Sequence, residues 1–186
     1  MRMKSVISII LMHFIFFVLG TAIFVLSFHT SLFKGLSVFF YRGVSLLTFT
    51  ALLMIILLLY FRKTRFGALF TIRDIVLSVV LIFCVNLLFF THVPVTAERS
   101  LSVFLLGYMN EHSTRVFSKD EITRIFIEKY VIENENVRKR IDEQLVSKNI
   151  AEEGGVYSIT RQGKIIMNFY NFISRLFVVD KKNLSP

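Results

Sequence analysis

The chain has 186 residues, 54% of them hydrophobic, with 21 Phe, no Trp, one Cys and a net charge of +9. A single cysteine excludes an intrachain disulfide framework. The charge is not the footprint of a DNA-binding face, because residues 1–90 hold eight Lys or Arg against one acid, whereas residues 91–186 hold fourteen against twelve. Basicity concentrated in the apolar half reads as topology signal and headgroup contact.

Three apolar stretches fill that half. Ser5 to Phe28 is 24 residues without Lys, Arg, Asp or Glu, and Gly43 to Phe61 is 19. Phe66 to Phe90 is 25, interrupted only by Arg73 and Asp74. Crossing a hydrocarbon core takes about 20 apolar residues as a helix, so spans are predicted at about 5–28, 40–61 and 67–90. The first is too long for the apolar region of a cleaved signal, about 7 to 15 residues, and is read as a retained helix. If the third span begins at Phe66, Arg73 and Asp74 form an intramembrane polar pair needing partners in the bundle or Arg42. If it begins nearer Ile75 they are a charged flank. No span shows a polar stripe along its length, so a solo channel or carrier is not expected.

Orientation follows from cations in short loops. The N-terminal tail carries Arg2 and Lys4, and the second loop carries Arg62, Lys63 and Arg65. The first loop, His29 to Arg42, holds only Lys34 and the membrane-edge Arg42. The N-terminus is therefore expected in the cytoplasm and everything after Phe90 outside, across the inner (plasma) membrane of a bacterium.

The segment Thr91 to Ser100 groups His92, Glu98, Arg99 and Ser100 at headgroup depth, with Pro94 forbidding simple continuation of the helix. Arg99 and His92 suit a lipid phosphate or diphosphate, with Glu98 orienting one of them. Ordinary helix-exit chemistry accounts for the same residues. Leu101, Phe104, Leu105 and Tyr108 then form one stripe of a short amphipathic helix, so residues 91–115 are read as a juxtamembrane region.

Residues 116–186 read as a small soluble domain. Ser118-Lys-Asp-Glu121 is a capping box, followed by Ile122, Ile125, Phe126 and Tyr130 on a buried face. After a polar break at Glu133 to Asn136, a second helix carries Val137, Ile141 and Leu145 inward, with Arg138, Lys139 and Arg140 around it. A hairpin turns at Glu153-Gly154-Gly155. Thr160 then caps a helix with Ile165, Phe169, Ile173 and Leu176 on one face, and further apolar residues through Val179 on another.

The order helix, helix, hairpin, helix, with Gln144 to Ile150 leading to Tyr157-Ser-Ile-Thr-Arg-Gln-Gly163, resembles the winged-helix superfamily over residues 116–180. The fold class expected is thus mainly α and integral to a membrane: three transmembrane helices followed by a small α+β winged-helix-like domain. If the resemblance extends to DNA reading, it implies a helix at 136–148 in a major groove, with Arg138, Lys139, Arg140 and Lys148 as contacts. Winged helices also serve as protein-docking modules. The acids Glu133, Glu135, Asp142, Glu143, Glu152 and Glu153 among these cations fit a solvated, ion-paired surface better than a phosphate-binding one.

His13, His29, His92 and His112 show no metal-ligand spacing, and there is no phosphate loop or nucleophile elbow. No cofactor or metal is expected. These features point to a non-catalytic accessory or scaffold protein docking a partner in cell-envelope assembly, where glycolipid or polysaccharide is the material handled, with membrane lipids and a protein as partners. One alternative is a membrane-tethered DNA-binding regulator, which requires a cytoplasmic C-terminus. A second is an enzyme acting on a lipid-linked phosphate through His92, Glu98 and Arg99.

Overall fold

The computed structural model describes residues 2–65, 67 and 70–177, with side chains from residue 6 onward. The side chains of the tail cations Arg2 and Lys4, the predicted start of the third span around Phe66 and the end of the apolar tail at Val178 and Val179 lie outside the described residues. Two compact units result, Met1–Val103 and Phe104–Pro186.

The first unit is built on α1 (Arg2–Ser27), α2 (Phe39–Arg62) and α3 (Ile72–His92), followed by the short α4 (Pro94–Arg99). All three long helices are long and apolar enough to cross a membrane. The third starts later than the apolar run suggests. Thr71 caps it in a capping box, its hydroxyl taking the Asp74 N–H while the Asp74 carboxylate takes the Thr71 N–H. At 21 residues, α3 still spans about 30 Å at 1.5 Å per residue.

Side chains in this unit are distributed inside out. Ile10, Leu11 and Phe14 of α1 are more than half exposed, as are Leu52 and Ile56 of α2 and Val76 and Leu77 of α3. The polar Thr50, Ser78 and Asn86 are buried. Water would penalise so large an apolar exterior, and a lipid solvent would not. Two aromatic-rich cores sit toward opposite ends of the bundle. One gathers Met54, Leu58, Phe70, Ile75 and Ile82; the other gathers Phe24, Leu46, Leu47 and Phe90. At the second, Gly43 lies against the Phe90 ring with no space for a Cβ, which is the kind of close approach glycine permits.

The second unit opens inside α5 (Leu101–Glu111), so the unit boundary falls within this helix, upstream of the expected break near residue 116. Phe104 meets the Tyr130 ring at 5.0 Å and Tyr108 meets Phe117 at 6.0 Å, which is how this apolar stripe joins the domain. Next come α6 (Lys119–Ile125), a π-helical continuation Phe126–Glu133, α7 (Asn136–Val146), the hairpin β1 (Ile150–Glu153) and β2 (Val156–Ile159), and α8 (Arg161–Phe177).

The expected capping box at Ser118 is half formed. The Ser118 hydroxyl accepts the Glu121 N–H at 3.2 Å, but the Glu121 carboxylate is held by Arg115 at 2.7 Å. The hairpin pairs Ile150 with Ile159 and Glu153 with Val156. Gly154 and Gly155 make its turn at φ 60 and 80, the left-handed region that a two-residue turn of this hand requires. Thr160 closes the unit by accepting the Gly163 N–H at 3.1 Å and donating to the Lys148 carbonyl at 2.7 Å.

Two inward assignments are corrected. Val137 is 53% exposed, and the enclosed position of α7 belongs instead to Glu143. The π-helical turns ahead of α7 and the left-handed Glu135 between them shift the phase of that helix relative to an uninterrupted α-helical count. In α8, Ile165, Phe169 and Leu176 point outward, while Gly163 and Ser174 are buried.

Candidate functional site

The most organised polar cluster lies between α1 and α3. The His13 Nδ1 is 2.7 Å from the Ser78 hydroxyl, and its Nε2 is 3.6 Å from an Asp74 carboxylate oxygen. Asp74 also accepts from the Thr71 N–H and hydroxyl, each at 2.7 Å. The Phe70 ring sits 5.3 Å from the imidazole. A second rung forms where the Asn86 amide donates to the Thr21 hydroxyl at 3.0 Å.

Both rungs join residues 65 apart in sequence. An equal offset with the same sign means that α1 and α3 run parallel, as two crossings separated by a third must. The rungs are eight residues apart on each helix, about 12 Å along the axis. The spans therefore do carry polar faces, His13 with Thr21 and Ser78 with Asn86, and each is consumed in pairing with the other.

The order carboxylate, imidazole, hydroxyl invites comparison with a nucleophilic triad, but Ser78 has no exposed surface. An acyl group has no route to its oxygen. What the cluster can do is lock α1 to α3, through the His13–Ser78 hydrogen bond at the buried Ser78 hydroxyl.

Of Arg73 and Asp74, the acid has a partner within the bundle, His13. Neighbouring residues on a helix project about 100° apart, and here Asp74 turns in to His13 while Arg73 is exposed in the first turn. Arg42 is not a partner for either of them. It stands at the opposite end of the bundle, where its guanidinium donates to the Phe28 and Thr30 carbonyls at 3.0 and 3.2 Å and lies over the Phe28 ring. The cation thus satisfies carbonyls of the turn just past the end of α1.

Near that end a cleft of about 240 Å³ opens between Phe24, Phe28, His29, Phe39, Phe90 and Pro94. The adjoining segment shows local contacts. His92 Nδ1 turns back to the Leu88 carbonyl at 2.9 Å and to Thr91 at 3.1 Å. Arg99 meets Glu98 at 3.5 Å, and the Ser100 hydroxyl accepts the Val103 N–H at 3.2 Å at the start of α5. Each of these contacts is of the helix-exit kind.

Two cations of α7 stand beside carboxylates. Arg138 meets Glu135 at 3.2 Å and Arg140 meets the buried Glu143 at 2.7 Å. Lys139 and Lys148 are exposed, the latter at the left-handed end of its helix with φ 56. Lys129 hydrogen-bonds Glu133 at 2.7 Å, and that contact raises the lysine's pKa above its ordinary value. Among the described residues no group of three His, Cys, Asp or Glu is arranged to hold a metal ion.

Of the functional positions, sequence reasoning missed His13, Thr71, Ser78 and Asn86. A usable signal existed for the first two. An ionisable residue inside an uncharged 24-residue stretch asks for a partner, and Thr71-x-x-Asp74 is a helix-start pattern.

Compared with models of protein families, with curated proteins and with solved structures, the chain matches none.

Proposed function

We propose that the chain is a non-catalytic accessory protein of the cell envelope that anchors in the membrane through three spans and offers its second unit as a docking module. One observation carries this reading. Among the described residues of that unit a single apolar side chain, Ile125, is buried, while Ile127, Ile132, Val137, Val146, Val156 and Tyr157 are about half exposed or more. A unit with so little core gains its missing burial from what it binds. The charges on α7 support a protein partner over a phosphate backbone, since a carboxylate stands beside Arg138 and another beside Arg140.

The side on which this happens is part of the proposal. Arg73, exposed in the first turn of α3, adds a cation to the loop that already holds Arg62, Lys63 and Arg65, and Arg42 is occupied at the other end. Both observations favour a cytoplasmic N-terminus and an outside C-terminus. The element order helix, helix, hairpin, helix favours a winged-helix-like module. It keeps one second reading open, a membrane-tethered DNA-binding regulator.

The test combines location with contact. Paired reporters after Pro186, one active only outside and one only inside, are expected to report outside. A photo-crosslinker at Val137 in the intact cell is expected to give one discrete protein adduct. An inside location with salt-dependent DNA binding sinks the docking proposal in favour of the regulator; an outside location with no adduct sinks it outright.

A further inference from the structure

We infer that the outward face of α8 rests on an anionic lipid surface. Ile165, Phe169, Phe172 and Leu176 recur at i, i+4, i+7 and i+11, a single stripe whose members are 59–62% exposed. On the other side of the helix Gly163 packs against the Asn149 carbonyl with no space for a Cβ, and Ser174 is buried.

On the 3.6-residue wheel, one edge of the exposed stripe adjoins an arc of Arg161, Lys164, Asn168, Asn171 and Arg175, and no carboxylate occurs anywhere from Arg161 to Phe177. A strongly one-sided helix of aromatic and aliphatic residues, bordered on one edge by cations and amides with no acid, is the pattern of an interfacial helix. Apolar burial at the headgroup boundary and attraction to lipid phosphate then act together.

Two further points choose the bilayer over other occupants. A second copy of α8 packed face to face and antiparallel about a two-fold axis would bring its three cations against themselves, a like-charge arrangement that opposes pairing. The bilayer is also already present at high effective concentration, because the same chain carries three helices able to cross it. The inference concerns the leaflet facing the unit, whichever leaflet that is, so it goes beyond the docking proposal and does not depend on it.

The chain has no Trp, so Phe169→Trp in the full-length protein makes a sole emitter on the stripe and Asn168→Trp one on the polar arc. Both are reconstituted in phosphatidylcholine vesicles with brominated acyl chains, with and without phosphatidylglycerol. Expected with phosphatidylglycerol are blue-shifted, strongly quenched emission at 169 and little quenching at 168.

Neutralising Lys164 and Arg175 to Gln in the Phe169→Trp background removes about fivefold per cation from the docked-to-free ratio, about 25-fold together. Most of the quenching is then lost while circular dichroism stays unchanged. Unquenched emission at 169 overturns the inference, whether blue-shifted, which means a protein covers the face, or red-shifted, which means water does. Quenching equally strong without phosphatidylglycerol overturns the anionic assignment. None of these results alters what the reporters after Pro186 show, so the two proposals fail separately.

Discussion

The two units solve opposite solvent problems with opposite kinds of contact. In the first, apolar side chains face outward and the polar rungs His13–Ser78 and Thr21–Asn86 lie inside, each joining residues 65 apart. In the second, ion pairs bridge three or four residues along one stretch of helix, as in Lys129–Glu133, Arg138–Glu135 and Arg140–Glu143. Its buried apolar content among the described residues is Ile125. Long-range pairing fixes the geometry of a bundle, whereas local bracing stabilises helices and leaves their outward faces available.

Five perturbations break or sharpen that contrast. The largest effect is expected at Gly43→Val. The new side chain must enter the Phe90 ring, costing about 3 kcal/mol by overpacking, read as the shift in midpoint when the full chain is titrated from mild detergent into dodecyl sulfate. Next is Ile125→Ala, expected to cost about 2 kcal/mol, with the loss confined to the second unit in amide exchange. A cost below about 0.5 kcal/mol would mean that this unit has no apolar core of its own.

Third is the His13–Ser78 rung, where a double-mutant cycle with His13→Leu and Ser78→Ala is expected to give a coupling of about 1 kcal/mol. Zero coupling would remove long-range polar pairing from the account. The smallest effects belong to the second unit's surface. Arg138→Ala is expected to change stability by less than about 0.5 kcal/mol. The pKa of Lys129 is raised by its hydrogen bond to Glu133. While the Glu133 carboxylate is ionised, that contact therefore supports the fold below the ordinary lysine value of 10.5 and withdraws as pH climbs past it through the raised value. In Glu133→Gln the alkaline loss of ellipticity above that point should flatten, and an unchanged alkaline limb would show the contact to be inert.

What was legible in the sequence follows the same division. Gly154-Gly155, Ser118 and Thr160 announce the hairpin and two helix starts, because each acts on backbone within three residues of itself. The three long helices are legible because a hydrophobic run of that length needs no partner to be recognised. The start of α3 was misread where an apolar run hid a cap: Phe70 is buried beside Thr71 and continues the hydrophobic pattern without being helical. His13 looked isolated because its partner stands 65 residues away. The outward turn of Val137 has no mark in the sequence: the residue stands in the first turn of α7, two positions past the left-handed Glu135. Segment His92 to Ser100 has the residue types of a phosphate site, and its local contacts, such as His92 to the Leu88 carbonyl, are not legible in the sequence.

The equal spacing of the two α1–α3 rungs bears on how the chain is made. Synthesis at roughly 5–20 residues per second separates His13 from Ser78, and Thr21 from Asn86, by about 3 to 13 seconds. Throughout that interval α1 exists without the helix that satisfies its polar groups. The first helix is thus an early product waiting for a late one, and whatever attends the nascent chain meets an unpaired imidazole before it meets a finished bundle.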